Sequence, residues 1–592
     1  MLIKINRNYF WANIFFDQLA EYGVKYACIS PGSRSTPLTY AISQNKRIKS
    51  YVIIDERTSG FFALGIAKKT NSPVIIITTS GTAAAELYPA IIEAYQNRVP
   101  LIVCTADRPA YLRNSGANQT INQDNLYHNH VRYFYDAGLP KVTIKNIRDL
   151  KTAAKNIFQI ATIENIGPIH INFPFEKPLE PNSYTDDIQE NILLDSLPND
   201  ASESTKIKSS FTAQTNFKTV SAFLKKQVDG LITIGPGNYA DSFFDSIEKF
   251  SVQFSLPVFV DASSSFRFKL KPLSNLITNY DALLRSESFK KIFTPKYALH
   301  FGRPLTSPKL EEYFSVVRPK GFAINKFADL FDPSRKFKII QSDESVFINN
   351  LMDSVNEKQN IFSEKLRNLK YLDLQIEKIK TEIFSTSKKI NETGVLLKII
   401  DAIPPNSNLM IGNSIPIRDL DFFASAVNKN INVYQNRGAS GIDGITATAL
   451  GICAHSKYPT FLVVGDLSFF YDLNSLLIAK QYNIPLVIIL INNNGGAIFR
   501  FLPISEHKNI FDKYFLTPSN LSFKKLTDSF GIDHKEIKTE RDILNHIKVS
   551  SVRKKTVVFE IKTDSEFSLS LRKKYWKKIN ILVEKFLRNY EA

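Results

Sequence analysis

Cysteine is nearly absent. Cys28, Cys104 and Cys453 are the only three in 592 residues, each inside an apolar segment and none in a CxxC pair. That excludes a disulfide framework and a cysteine-built zinc site, and leaves the three as small buried hydrophobes. Long apolar runs are missing too. The longest, such as residues 485–491, have the length of buried strands and fall well short of the roughly 18 residues that a membrane span needs. At the start of the chain Arg7, Asn8, Asn13 and Asp17 interrupt the apolar residues, so no signal peptide is expected and the segment reads as an amphipathic helix. A cytoplasmic protein without stable membrane insertion is the expectation. No nucleic-acid motif accompanies the formal net charge of +18, and the lysines are scattered among Asn and Ile along the chain, so no nucleic-acid partner is expected. The densest basic stretch, residues 572–578 (RKKYWKK), reads as the charged face of a C-terminal helix.

What is present is core. A hydrophobic fraction of 44% against 22% charged residues is ordinary for a folded globular chain. Its length exceeds what one core supports, so roughly three or four domains of about 150 residues are expected and a single small binding module is excluded. Between residues 26 and 174, short β-branched runs (YACIS, YVIID, VIIITT, LIVCTA, IHINF) alternate with helical patterns, the rhythm of a parallel α/β sheet. A polar stretch after Pro178 (EPNSYTDDIQEN, then PNDASESTK) suggests a linker. GLITIGPG, LPVFVDASS and YALHFGRPL form a second series, residues 344–391 read as helix with a polar exit, and NLMIGN, FLVVGD, PLVIILINNN and TVVFEI form a third. The predicted fold class is α/β, with three doubly wound, mainly parallel-sheet domains at 1–185, 205–375 and 390–592. The first and third series also resemble each other. Pro100 in VPLIV falls on Pro485 in IPLVI, and at the same offset Gly81 in TTSGT falls on Asp466 in VVGDL.

Gly465-Asp466 ends one expected strand and Asn493, with Gly495 and Gly496 behind it, ends the next. Ligands of open α/β sheets bind at such carboxyl ends. A hard dication there, Mg2+ or Mn2+, needs oxygen donors: the Asp466 carboxylate, the Asn493 amide oxygen and the Gly495 backbone carbonyl, with diphosphate oxygens completing an octahedron. Alone, each turn is equally an ordinary αβ turn capped by Asp or Asn. The spacing resembles the GDG…N signature of thiamine-diphosphate enzymes, with Leu467 in place of the last glycine. The partner carboxylate is expected at a strand end in the first domain, where Glu56 stands in YVIIDERTSG; a solvated ion-pair run is the alternative reading of Asp55-Glu56-Arg57.

The chain carries SPGSRSTPL, IDERTSGFFALGIAK, TTSGTAAAELYPA, TADRP, GANQTINQ, GNSIPIRDLD, NRGASGIDG, GDLSFFYDLN and NNNGGAIF. With these motifs it resembles, over nearly its full length, the 2-succinyl-5-enolpyruvyl-6-hydroxy-3-cyclohexene-1-carboxylate synthases, the thiamine-diphosphate-dependent family of menaquinone biosynthesis. It implies a pyrimidine-binding first domain, a Rossmann-like central domain and a diphosphate-binding last domain. It also implies decarboxylation of 2-oxoglutarate and conjugate addition of the succinyl carbanion equivalent to isochorismate; another thiamine-dependent 2-oxo acid decarboxylase or carboligase is the alternative. Glu56 is then the catalytic carboxylate and Ile442 the apolar prop of the cofactor. Ser33, Arg34, Arg108 and Gln119, with Ser414, Arg418 and Arg437, bind the two dicarboxylates, for which guanidiniums are well shaped. Arg34 and Arg108 fall on the isochorismate side, Ser414 and Arg418 on the 2-oxoglutarate side, and Phe499 walls the substrate pocket. The family arrangement sets each site between two subunits, hence a homodimer or homotetramer. In LTSPKLEEYF only Lys309 remains of a stretch that can carry adjacent basic residues, which leaves a substrate contact there open. His128 and His130 read as satisfied loop histidines.

Overall fold

The computed structural model describes residues 2–197, 217–224, 229–237, 239–354, 363–387, 389–550 and 554–591. The chain divides into two compact units: Met1–Ser209 with Asn436–Lys457 and Phe469–Leu486, and Ser210–Gln435 with Tyr458–Ser468 and Val487–Ala592. Three six-stranded sheets carry the α/β fold.

In the first unit the strands lie side by side in the order Lys49–Val52, Tyr26–Ile29, Val74–Thr78, Leu101–Asp107, Ile169–Pro174, Tyr133–Asp136, and every neighbouring pair is parallel. Val74–Thr78 and Leu101–Asp107 are buried at every residue, because the crossover helices of a parallel sheet cover both faces. That is why these strands read as unbroken apolar runs. Helix Arg7–Glu21, capped by the Asn6 side chain, buries Phe15, Phe16 and Leu19 against Ile75, Ile102, Ile171 and Phe173. Helices Glu56–Thr70 and Ile445–Ala454 cross at Gly65 and Gly451. A Cβ on Gly65 would stand 2.1 Å from the Thr448 carbonyl, and one on Gly451 2.2 Å from the Phe62 carbonyl.

The polar stretch after Pro178, expected as a linker, is structured as far as residue 197. Asp186–Gln189 pairs antiparallel with Leu2–Ile5, and helix Glu190–Ser196 follows. Backbone pairing needs no apolar run. Ile188 is buried, and Arg7 grips Asp186 through two hydrogen bonds of 2.8 Å. PNDASESTK lies outside the described residues.

In the second unit the central sheet runs Leu276–Ile277, Val258–Val260, Gly230–Ile234, Tyr297–Phe301, Lys320–Asn325, Lys338–Gln341, all parallel. In chain order this is 3-2-1-4-5-6, the order of doubly wound dinucleotide-binding sheets. The last sheet runs Asn432–Tyr434, Asn408–Ile411, Thr460–Gly465, Leu486–Asn492, Val557–Lys562, Asp533–Glu536. Its chain order, 2-1-3-4-6-5, is also that of the first sheet. Gly81 and Asp466, matched in the sequence, each follow the third strand of their sheet. Helix Ser565–Glu591 buries Tyr575, Ile579, Val583 and Leu587 beside Leu369, Leu372 and Ile376. Among the described residues no helix is long and apolar enough to cross a membrane.

Candidate active site

The turn after Thr460–Gly465 and the turn after Leu486–Asn492 meet at the carboxyl edge of the last sheet. Asp466 is 2% exposed; its Oδ1 accepts the Leu467 N–H at 2.9 Å and its Oδ2 the Gly495 N–H at 2.8 Å. Burial pushes its pKa up to about 6 against these backbone donors, and among the described residues no lysine or arginine pairs with it. Leucine at 467 still supplies the backbone N–H that the turn uses. Gly495 has φ +139°, and a Cβ there would stand 2.0 Å from the Leu516 carbonyl, so only glycine fits. Its own carbonyl accepts the Ala497 N–H at 2.9 Å, which leaves a second lone pair.

The three consecutive asparagines are held apart by different partners. Asn492 donates to Glu560 at 2.6 Å, Asn493 to Glu392 at 2.7 Å and Asn494 to Asn520 at 2.8 Å. Asn493 Oδ1 is buried with no hydrogen-bond partner. A desolvated carboxylate, an orphaned amide oxygen and a backbone carbonyl form a donor set suited to a hard dication, and this orphaned oxygen is what makes the turn more than a capped loop. Among the described residues no cluster of three or more His, Cys, Asp or Glu offers a metal site.

At the carboxyl edge of the first sheet, turns from adjacent strands converge. The Arg108 guanidinium, after Leu101–Asp107, donates to the Ser80 hydroxyl and to the Gln119 carbonyl at 2.7 Å. Gln119, at φ +57°, returns its side-chain N–H to the Ser80 carbonyl at 3.0 Å. Gln123 holds the same turn by accepting the Gly81 N–H at 2.9 Å. Arg34 donates to the Phe175 carbonyl at 2.8 Å, and its pKa is lowered by burial first and then by the positive charge of Arg108. Ser33 is exposed beside it. Ser80 was missed in the sequence, where TTSGT shows only a glycine turn.

Glu56 is the first residue of helix Glu56–Thr70, whose N-cap Asp55 accepts the Thr58 N–H. It is half-buried, and its pKa is raised by desolvation, with the Asp55 and Glu86 charges adding. No solvated ion pair of Glu56 with Arg57 forms: Arg57 donates instead to the Tyr471 carbonyl at 3.0 Å and lies over the Tyr471 ring. The loop carrying Arg437 and Ile442 is fastened by Glu93, 2% exposed, which accepts the N–H groups of Gly438 and Ala439 at 3.0 and 2.7 Å. Ile442 is 38% exposed on this loop.

Ser414 has φ +72° at the start of helix Ile415–Phe423, and Arg418, one turn on, donates to its carbonyl at 2.8 Å. Phe499 is half-buried, edge-on to Phe515 at 5.7 Å. Lys309 is engaged with Glu312 one turn along its helix. His130 bonds the Tyr88 hydroxyl at 3.1 Å and packs on Tyr88 and Tyr95, while His128 is an exposed loop residue.

Comparison with known proteins adds two kinds of likeness. The family model described as thiamine pyrophosphate enzyme, N-terminal TPP binding domain matches residues 11–126, and the one described as thiamine pyrophosphate enzyme, C-terminal TPP binding domain matches residues 425–561. A protein of Oceanobacillus iheyensis named 2-succinyl-5-enolpyruvyl-6-hydroxy-3-cyclohexene-1-carboxylate synthase is 34% identical over 574 residues, 95% of this chain and 96% of that protein. Proteins of the same name from Geobacillus kaustophilus and Haloquadratum walsbyi are each 34% identical, covering 96% of this chain and 97% of theirs.

Proposed function

The chain belongs to the 2-succinyl-5-enolpyruvyl-6-hydroxy-3-cyclohexene-1-carboxylate synthase family of thiamine-diphosphate enzymes, and on that premise we propose that it decarboxylates 2-oxoglutarate and adds the succinyl unit to isochorismate. The products are 2-succinyl-5-enolpyruvyl-6-hydroxy-3-cyclohexene-1-carboxylate and CO2, in menaquinone biosynthesis. Bound thiamine diphosphate supplies the carbon nucleophile and the electron sink. Asp466, Asn493 and Gly495 would hold Mg2+ or Mn2+ through three oxygens, a charge suited to anchoring a diphosphate. Glu56 would meet N1′ of the aminopyrimidine, and desolvation shifts its carboxyl toward the neutral form. Ile442 props the cofactor. Arg34 and Arg108 take the carboxylates of isochorismate, with Ser33 and Gln119 as neutral donors; Ser414 and Arg418 take 2-oxoglutarate. Arg437 adds a further guanidinium, and Phe499 an apolar wall.

The observation that carries the dicarboxylate reading is the approach of two guanidiniums at one sheet edge: the Arg34 pKa is lowered by burial and by the charge of Arg108, which the nearby Asp107 carboxylate offsets only in part. Like charges brought together and desolvated are stabilised by an anion, and a substrate carboxylate supplies one. The assembly proposed is a cytoplasmic homodimer or homotetramer, measurable by sedimentation of the active protein. The deciding assay incubates the protein with thiamine diphosphate, Mg2+, 2-oxoglutarate and isochorismate. Formation of the adduct with CO2 is expected; CO2 without the adduct means a decarboxylase with another acceptor.

A further inference from the structure

Behind Asn493 lies a buried cluster of charge that the clamp does not itself require. Glu392 opens helix Glu392–Ala402, and its carboxylate is divided: Oε1 accepts the Asn493 Nδ2–H at 2.7 Å and Oε2 an Arg572 N–H at 2.9 Å. Arg572, on helix Ser565–Glu591, also donates its Nε–H and an Nη2–H to the two oxygens of Asp419, at 3.0 and 2.5 Å. Glu392, Asp419 and Arg572 are 1%, 4% and 1% exposed. Ser568, one turn earlier on the same helix face as Arg572, accepts the Glu392 backbone N–H at 3.2 Å. The basic stretch RKKYWKK is therefore not one charged face: Lys573 and Lys574 are exposed, and Arg572 points into the core.

A buried ion cluster is weak evidence for stability, since desolvation offsets much of its Coulombic gain. It can still fix an orientation. The two flips of an amide exchange an acceptor oxygen for an NH2 group, and an ionised carboxylate only accepts. Against Glu392 Oε1, one flip of Asn493 forms a charge-assisted hydrogen bond and the other sets two oxygens against each other. The favoured flip turns Oδ1 away from Glu392, where it is buried without a hydrogen-bond partner. The opposite flip would offer N–H groups to a cation. Arg572 pairs with Glu392 and fixes its carboxylate plane, and Asp419 holds the other side of the guanidinium. We infer that Glu392 and Arg572 are positioning residues of the metal clamp: through them the C-terminal helix locks Asn493 with its amide oxygen toward the dication.

This inference rests on the clamp proposed above, and the test separates the two. Mn2+ binding to the full-length protein with thiamine diphosphate is read from the EPR signal of the free ion, and folding from the melting of the metal-free protein. If wild type takes up no Mn2+, the clamp itself fails. With wild-type binding established, Glu392→Gln should weaken Mn2+ binding about tenfold to a hundredfold, the range for residues that orient metal ligands. Should that variant not fold, Arg572→Lys keeps the charge, loses the forked contact, and should weaken Mn2+ in the same direction. Asn493→Asp sets two carboxylates against each other and should also bind Mn2+ poorly. Adding Glu392→Gln to it restores one donor facing one acceptor, and should recover most of the affinity. Wild-type Mn2+ affinity in Glu392→Gln or Arg572→Lys overturns the inference, as does a double variant no better than Asn493→Asp. A purely structural cluster would lower the melting temperature in every variant and show no such recovery.

Discussion

Glu56 shows how position alone prepares a residue. Its carboxyl begins a helix, where the backbone N–H groups would ordinarily favour the anion. Desolvation, with the Asp55 and Glu86 charges, outweighs this, and the pKa is raised. A carboxyl that retains its proton more readily suits exchange with a weakly basic ring nitrogen. Glu56→Gln keeps the shape and a donor but cannot transfer the proton. Its turnover, measured as CO2 release, is expected to fall by about 10²- to 10⁴-fold, the range of general acid–base catalysis, with thiamine diphosphate affinity little changed in a titration. An unaltered rate would remove Glu56 from the mechanism. Glu56, Asp466 and Asn493 could be named as candidates from the sequence because each stands in a motif with its own spacing. Glu392, Asp419 and Arg572 were not. Glu392 follows an N-cap asparagine and looks like any first-turn acid, and Arg572 is one cation among several. Only the packing of helix Ser565–Glu591 shows which side of it is inside.

At the scale of elements, helices Glu56–Thr70 and Ile445–Ala454 cross within the first unit. Glu56 starts one helix, and the loop bearing Arg437 and Ile442 leads into the other. Gly65 and Gly451 let the backbones touch, with no room for a methyl group on either. Gly65→Ala and Gly451→Ala are each expected to destabilise the protein by about 1–3 kcal/mol, the usual cost of overpacking, seen as a lower denaturant midpoint. Thiamine diphosphate affinity should weaken with it, since the crossing carries Glu56. Midpoints equal to wild type would show that the helices separate freely. Strands were read unevenly, for a reason of the same scale. Val74–Thr78, Leu101–Asp107 and Leu486–Asn492 have a neighbour on each side and helices over both faces, and they announced themselves as apolar runs. Tyr133–Asp136, Asn432–Tyr434, Lys338–Gln341 and Asp533–Glu536 lie at sheet edges, are short and partly polar, and passed unread. Leu2–Ile5 and Asp186–Gln189 pair across most of the first domain's sequence, which no local pattern reports.

Across the whole molecule, two histidines tie stability to pH. His170 in Ile169–Pro174 meets the Thr105 hydroxyl at 2.8 Å, and His300 in Tyr297–Phe301 meets that of Thr233 at 2.9 Å. Burial lowers their pKa values to about 3 and about 4. In the unfolded chain they titrate near the ordinary value of about 6.5, so between there and the native values the unfolded state binds more protons. The contribution of these two histidines to stability therefore falls as the pH drops from 6.5 toward 4, by up to about 1.4 kcal/mol per pH unit for each. Melting temperatures of His170→Gln and His300→Gln followed from pH 7 to pH 4.5 should decline less steeply than wild type; parallel slopes would assign the acid sensitivity to other groups. The sequence by itself determined the three α/β series, the likeness of first to last, and the motif residues proposed for the cofactor and substrate sites. These are written locally, in apolar runs and in turns whose spacing the chemistry dictates. The tertiary structure alone decided the identical 2-1-3-4-6-5 strand order, the convergence of Ser80, Arg108 and Gln119, and the burial of Arg572 against Glu392. Each joins residues distant in the chain, and which of many similar polar side chains meet is fixed by packing, which no short stretch of sequence encodes.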